Sequence, residues 1–527
     1  RINAADGTHD VKVNQTMGAG TWIYLGHYPL VSTSGEQPVV ELLNDGPEGY
    51  RVSADAVKIG GGMGNVARIV KEPLDDIDYQ YVRSGYPRFV EGARYFLQWA
   101  GAPDSVYTPT EYVNDYNDDY QSRALWVNWL AGGSSMLPQR KGLNIPVDLS
   151  FAFHSDAGTT LNDSIIGTLG IYHTNAYNEK FANGASRYLS HDLTDLIQSN
   201  IVRDVRTLYE PQWTRRGKWN QSYYEARVPR VPTMLLELLS HQNFADMRYG
   251  LDPRFRFTVS RAIYKGMLQF LCSQYHMDYV VQPLPVDHMA LRMTSENEVE
   301  LTWQPVADAL EPTAVAEKYI VYTRIGDGDF DNGVLVDGNS YRTTLPAGMV
   351  CSYKVTAVNK GGESFPSEIL SAYKAKKSKG TVLIVNAFDR LSGPATIESN
   401  FIQGFDLKTD PGIPYISTPA YCGAQQSFDR SRIGRETKDG LGYSGSELEG
   451  MLIAGNTFDY PFIHGKAIQS AGGYSFVSCS DEAVENGFVR LTDYPVTDLI
   501  MGAEKQAFSP ITVSYTHLRA HETRSNL

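Results

Sequence analysis

At 527 residues the chain is long enough for roughly three or four domains. With 42% hydrophobic and 20% charged residues it has the composition of a globular protein with several cores. A net charge of −13 with no Lys/Arg-rich block excludes a protein built to neutralise phosphates, so no nucleic-acid partner is expected. No run approaches the ~18 apolar residues of a membrane span.

The 33 Tyr and 47 Gly point to turn-rich β domains and aromatic surfaces suited to sugars. The four cysteines, Cys272, Cys351, Cys422 and Cys479, are far apart. They imply neither a zinc knuckle nor a disulfide framework, and each is read as a buried thiol. The chain opens on Arg1 with no leader pattern. Residues 512–527 lack any periodicity and are similar to translated adapter sequence, so an artefact is expected there and an incomplete protein overall.

To about Val70, short β-rich runs alternate with Gly/Asn/Asp turns: Trp22–Leu25, Val39–Leu43, Tyr50–Ser53 and Ala56–Ile59. This spacing predicts a small β-sandwich over 1–72. Gly60–Gly64 lacks the phosphate-loop pattern and reads as a turn. From 84 to 275 the texture changes. Helical faces at Arg88–Gly101, Tyr120–Leu130, Arg187–Leu208 and Phe257–Leu271 alternate with apolar strands at Asp148–Phe153 and Thr233–Leu239. That alternation predicts an α/β domain, a parallel sheet with helices on both faces.

Pro283 and Pro285 mark a linker, and 284–374 is all strand and turn. With Trp303 in its second strand and Tyr353 after Leu345, this stretch resembles a fibronectin type III β-sandwich. Beyond the Lys-rich linker 375–379, Thr381–Val385 opens a truncated α/β domain over 380–511. A helix is predicted at Gly445–Ala454 and a strand at Tyr474–Ser478. The region resembles a glutamine-amidotransferase-like or flavodoxin-like fold, in which Cys479 is read as structural.

Two positions in the first α/β domain carry chemistry. His154 ends an apolar strand, where open α/β sheets place their ligands, although such a His is often a satisfied polar residue. Glu237 interrupts Met234-Leu-Leu-Glu-Leu-Leu239; a carboxylate there is costly unless it is paired, metal-bound or protonated, although a strand Glu often simply faces a solvent edge or an Arg. A carboxyl with a raised pKa is what water activation requires.

Asp119…Arg123…Asn128, Ser150…His154-Ser-Asp156, Pro232…Glu237…Ser240…Asn243 and Arg261…Gly266 follow one another in order. Over about 84–271 this order resembles the second half of the type-3 zinc-dependent N-acetylmuramoyl-L-alanine amidases. The resemblance implies Zn(2+) as cofactor, His154 as a metal ligand and Glu237 as the catalytic acid/base. Asp156, Arg123 and His241 are then candidates to support the site or touch substrate, with His173 and His191 weaker ones.

The family's earlier Gly-His-Gly ligand and helical Glu have no counterpart here; Glu91 is a poor substitute, and both ligands are expected upstream of Arg1. Asp156 stands where the family usually has Asn. Val11–Gly18, Gly20–Gly26 and Val52–Val57 resemble the golvesin C-terminal-like domain. Such a domain interrupts an amidase-like domain in large bacterial envelope proteins often labelled xanthan lyase. The implied function is peptidoglycan amide hydrolysis by a secreted or envelope protein, with peptidoglycan or another glycan as partner and this piece alone inactive. The alternatives are a non-catalytic glycan-binding or adhesive surface protein and a polysaccharide lyase.

Overall fold

The structure, a computed structural model, describes residues 1–11, scattered positions between 25 and 59, 92–160, 164–387 without 112 and 296, short segments between 393 and 453, and 459–501. The chain divides into two units, 1–147 with 228–230, and 148–227 with 231–527.

In the first unit, β1 (Ile2–Ala4) and β2 (Gly7–His9) form an antiparallel hairpin, and Val40 bridges to Ile2. Most of the β-sandwich expected over 1–72 lies outside the described residues; Tyr50–Ser53 is irregular backbone. Then come α1 (Ala93–Trp99), α2 (Asp104–Tyr107) and α3 (Asp115–Ala131). Asn114 caps α3 by accepting from Asn117 N–H, and buried Leu97, Val106 and Tyr107 pack against Leu125 and Trp129. Asp118 is buried and satisfied by Thr108 and Thr110, which fastens α2 to α3. Glu91 and Arg88 lie outside the described residues.

The second unit begins with β3 (Ser150–Asp156), β4 (Thr168–Tyr172), α4 (Tyr188–Leu208), β5 (Arg215–Asn220), α5 (Tyr224–Arg227), β6 (Thr233–Ser240), α6 (Phe244–Gly250) and α7 (Pro253–Tyr275). Its four strands lie in the order β3-β6-β4-β5. The sheet is mixed, which corrects the all-parallel expectation. β3 pairs β6 and β4 pairs β5 in parallel, whereas β4 and β6 are antiparallel. The segment 157–167 is shorter than the dozen or more residues that a parallel crossover needs, so β4 runs back against β3.

Helices lie on both faces of the sheet, unequally. Leu193, Ile197, Ile201 and Val205 of α4 and Phe255, Val259 and Ala262 of α7 cover Met234, Leu236 and Leu238 on one face. On the other, buried Leu169, Ile171 and Leu235 cluster with Ala226 of the one-turn α5, with Ala152 alongside. α4 and α7 approach closely at Gly266, where a Cβ would lie 2.6 Å from Ile197 Cα. Lys265, immediately before Gly266, places its Nζ 2.6 Å from Asp204, each side chain only 1% exposed.

The next strands are β7 (Asp287–Ser295), β8 (Glu298–Gln304), β9 (Lys318–Ile325), β10 (Val334–Val336), β11 (Ser340–Thr344), β12 (Val350–Asn359), β13 (Gly362–Glu363) and β14 (Leu370–Tyr373). They pair as β7-β8-β11 and as β10-β9-β12-β14, a sandwich-like arrangement whose core holds the fully buried Trp303 and Tyr353. β15 (Thr381–Asn386) runs parallel to the strands Ser475–Ser480 and Val496–Ile500. Ser475–Ser480 also touches β14 and β7, and its Val477 and Cys479 enter the core that holds Trp303. The two regions that the sequence separates at 375–379 therefore share one core. The helix expected at Gly445–Ala454 lies outside the described residues, apart from a short strand at Leu452–Ile453.

The chain is thus multidomain, with β-sandwich-like sheets and α/β regions. No helix among the described residues is long and apolar enough to cross a membrane. Removing one member of the Lys265–Asp204 pair strands a charge in the α4–α7 seam. Lys265→Met is expected to destabilise this unit by about 3–5 kcal/mol in a urea titration, and adding Asp204→Leu to recover most of the loss.

Candidate functional site

In a strand buried on both sides, successive residues point to opposite faces. The even-numbered Met234, Leu236 and Leu238 of β6 face the α4–α7 core, and Glu237 therefore faces the other side with Leu235. On that face the parallel register sets His154 of β3 directly beside Glu237. Neighbouring strands are about 4.8 Å apart, so the two side chains rise next to each other.

A third group, absent from the sequence-based list, completes this centre. Glu225 of α5 brings its Oε2 to 3.1 Å from His154 Nε2, with both side chains largely shielded. Asp156, two residues beyond His154 on β3, accepts a 2.6 Å hydrogen bond from Arg216 Nη1 of β5. Its other oxygen accepts from Ala157 N–H. Three carboxylates, Asp156, Glu225 and Glu237, thus surround one imidazole and one guanidinium.

Burial raises the Glu237 carboxyl above its usual range. His154 and Arg216 pull it down, and Asp156 and Glu225 push it up. Its Oε2 is buried without a hydrogen-bond partner among the described residues. The group is therefore poised to hold a proton at higher pH than an ordinary glutamate. It can pass that proton to a leaving amine or take one from water.

The remaining candidates fall elsewhere. His241 places Nδ1 3.1 Å from Ser155 Oγ, a residue that alternates to the opposite face from His154. Arg123 belongs to the other unit and pairs with Asp119 at 2.7 Å, one turn back on α3. His173 is buried after β4; burial, Arg187 and Arg227 all lower its pKa, so it is neutral. His191 sits on α4 between Asp192 and Lys218. Cys479 is buried, and its thiol is pushed well up by burial and by Glu368, Asp481 and Glu482, which leaves it protonated and unreactive. Cys272 and Cys351 are also buried free thiols; Cys422 lies outside the described residues.

Glu225 carries little sequence signal. It stands in Tyr-Tyr-Glu-Ala-Arg227 between two strands, with neither periodicity nor motif to mark it. Buried Arg187 places it. This guanidinium donates to the carbonyls of His173, Ala226 and Arg227, and so holds the end of α5 against the sheet.

Catalytic zinc takes three protein ligands plus water. Among the described residues no three His, Cys, Asp or Glu side chains converge in that way. His154, Glu225 and Glu237 neighbour one another on this face without converging as a three-donor group, so these residues by themselves do not fit a complete zinc site.

The profile of the golvesin C-terminal domain family matches residues 1–61. No curated protein matches the chain. Among solved structures, it is similar to an N-acetylmuramoyl-L-alanine amidase from Clostridium difficile 630, at 19% identity over 24% of this chain and 60% of that one, with a TM-score of 0.20. It is also similar to a human fourth fibronectin type III domain, at 20% identity over 18% of this chain and 79% of that one, TM-score 0.16. The twitchin kinase region from C. elegans aligns at 23% identity over 17% of this chain, TM-score 0.15, and the chain spans only 16% of its length. Likenesses of this size assign neither a fold nor an activity.

The raised Glu237 pKa makes a stability prediction. A carboxyl whose folded pKa lies above its unfolded value favours the fold below the unfolded pKa, and that contribution is lost as pH rises through the folded pKa. Glu237→Gln keeps the shape without the ionisation. Thermal melts are expected to coincide for the two proteins near pH 4 and to favour the variant increasingly toward pH 8.

Proposed function

We propose that the α/β region built on β3–β6 is an amidase-type hydrolase centre acting on the N-acetylmuramoyl-L-alanine amide of peptidoglycan, in a secreted or envelope-associated protein. The observation that carries this reading is the register pairing of His154 with Glu237 on the face opposite the helical core. The ordered motifs from Asp119 to Gly266 support it, as does the golvesin match at 1–61.

In this reading Glu237 is the general acid/base, its burial keeping a proton available for the departing amine. His154, oriented by Glu225, presents its imidazole to the reacting amide. The zinc that the resemblance implies requires donors beyond those the described residues bring together, so the protein groups alone define this proposal.

A second reading, a glycan-binding surface protein on an amidase-like scaffold, is favoured by the lack of a three-donor group among the described residues. One experiment separates the two. The protein, extended upstream of Arg1 to supply the two metal ligands expected there, is incubated with disaccharide-peptide muropeptides in buffer containing zinc, and released stem peptide and bound muropeptide are both measured. The hydrolase reading expects turnover that falls at least ~100-fold in Glu237→Gln with binding retained. Turnover that survives the substitution overturns the role of Glu237, and binding without turnover in the unaltered chain selects the second reading.

A further inference from the structure

The face that carries Glu237 extends across the sheet to β5, the edge strand. Trp219 is in register with Ile171, and Ile171 with Leu235, so Trp219 shares this face with Leu235 and Glu237. Trp219 is 42% exposed, so an aromatic ring on this face is open to a ligand. Arg216 stands between them. Its guanidinium carbon lies 5.7 Å from the centre of the Trp219 ring, while Nη1 is held by Asp156 across the sheet on β3.

Arg216 is thus fixed on one edge by a carboxylate and on one side by an aromatic ring. A guanidinium has five N–H donors, and among the described residues this side chain makes a single hydrogen bond. Nε and Nη2 remain for a ligand, in the fork geometry that accepts a carboxylate bidentately. The side chain is 22% exposed, shielded enough for a charge-assisted bond to matter and open enough to be reached. Lys218 cannot substitute: it is in register with Gly170, and its ammonium is bound to Asp195 on the helical side.

We propose that Arg216 and Trp219 form an acidic-sugar subsite beside Glu237. Trp219 stacks on the apolar face of a pyranose and Arg216 takes a carboxylate carried by the same sugar. Given the proposed function, on which this inference rests, that sugar is N-acetylmuramic acid, whose lactyl carboxyl is free once its amide to the peptide is cleaved. Asp156 then acts as a positioning residue that holds the guanidinium in place for the carboxylate.

The test uses the full chain and three probes by titration calorimetry: N-acetylmuramic acid, its methyl ester and N-acetylglucosamine, which lacks the lactyl group. The chain is expected to bind N-acetylmuramic acid about 10-fold or more tighter than either neutral sugar, the scale of one charge-assisted hydrogen bond. The ester arm needs no substitution, so it remains decisive even if a variant fails to fold.

Arg216→Gln is expected to abolish the preference while leaving N-acetylglucosamine binding within about 2-fold, and Arg216→Lys to restore part of it. Trp219→Ala should weaken all three ligands by a similar factor, on the order of 5-fold or more. Equal binding of the acid and its ester, or a preference that survives Arg216→Gln, overturns the subsite. Muropeptide turnover lost in Glu237→Gln alongside such a result leaves the hydrolase reading standing. An Arg216-dependent preference without turnover does the reverse.

Discussion

A carboxylate inside an otherwise apolar strand is the constraint on which this region is organised. Glu237 is flanked by leucines that the α4–α7 core must bury, and strand alternation sends its side chain to the opposite face. Burying a charge there is costly without partners. The neighbouring elements answer that cost by converging on the same face: His154 in register on β3, Glu225 from α5, and the Arg216–Asp156 pair across the sheet. Their opposing charges only partly compensate, and the carboxyl keeps a raised pKa with one oxygen unpaired among the described residues.

The rest of the α/β region serves that placement. Lys265 and Asp204 make a buried pair in the α4–α7 seam, and Gly266 lets the two helices come close enough to cap the apolar face of β6. On the polar side the work falls to one buried arginine. Arg187 binds three backbone carbonyls and faces the Phe181 ring at 4.8 Å, tying the loop after β4 to the end of α5. That tie brings Glu225 to His154, although α5 is too short to be stable by its own hydrogen bonds.

The sandwich-like strands and the parallel strands after them follow a different logic. A parallel pair cannot stand with an open edge and an uncovered face, and Ser475–Ser480 meets both needs by joining the sheet beside β14 and β7. Its inward residues complete the core around Trp303 and Tyr353. Cys479 is consumed in that packing, which is why a cysteine near the end of a strand has no nucleophilic character.

The sequence by itself determined the elements with strong periodicity: the α4 and α7 stripes, the apolar strands β3 and β6, and the two core aromatics of the sandwich. These rest on local spacing, which a linear reading can count. It also singled out His154 and Glu237, because a polar residue in an apolar strand is visible without any fold. The tertiary structure decided what depends on pairing across distance. It made the sheet mixed and merged two apparent domains in one core. It also recruited Glu225, Arg216 and Trp219, which lie in an unremarkable polar stretch and acquire meaning only from strand order and register. Register is set by contacts between residues more than 80 positions apart, as between His154 and Glu237 on β3 and β6, and no local pattern encodes it.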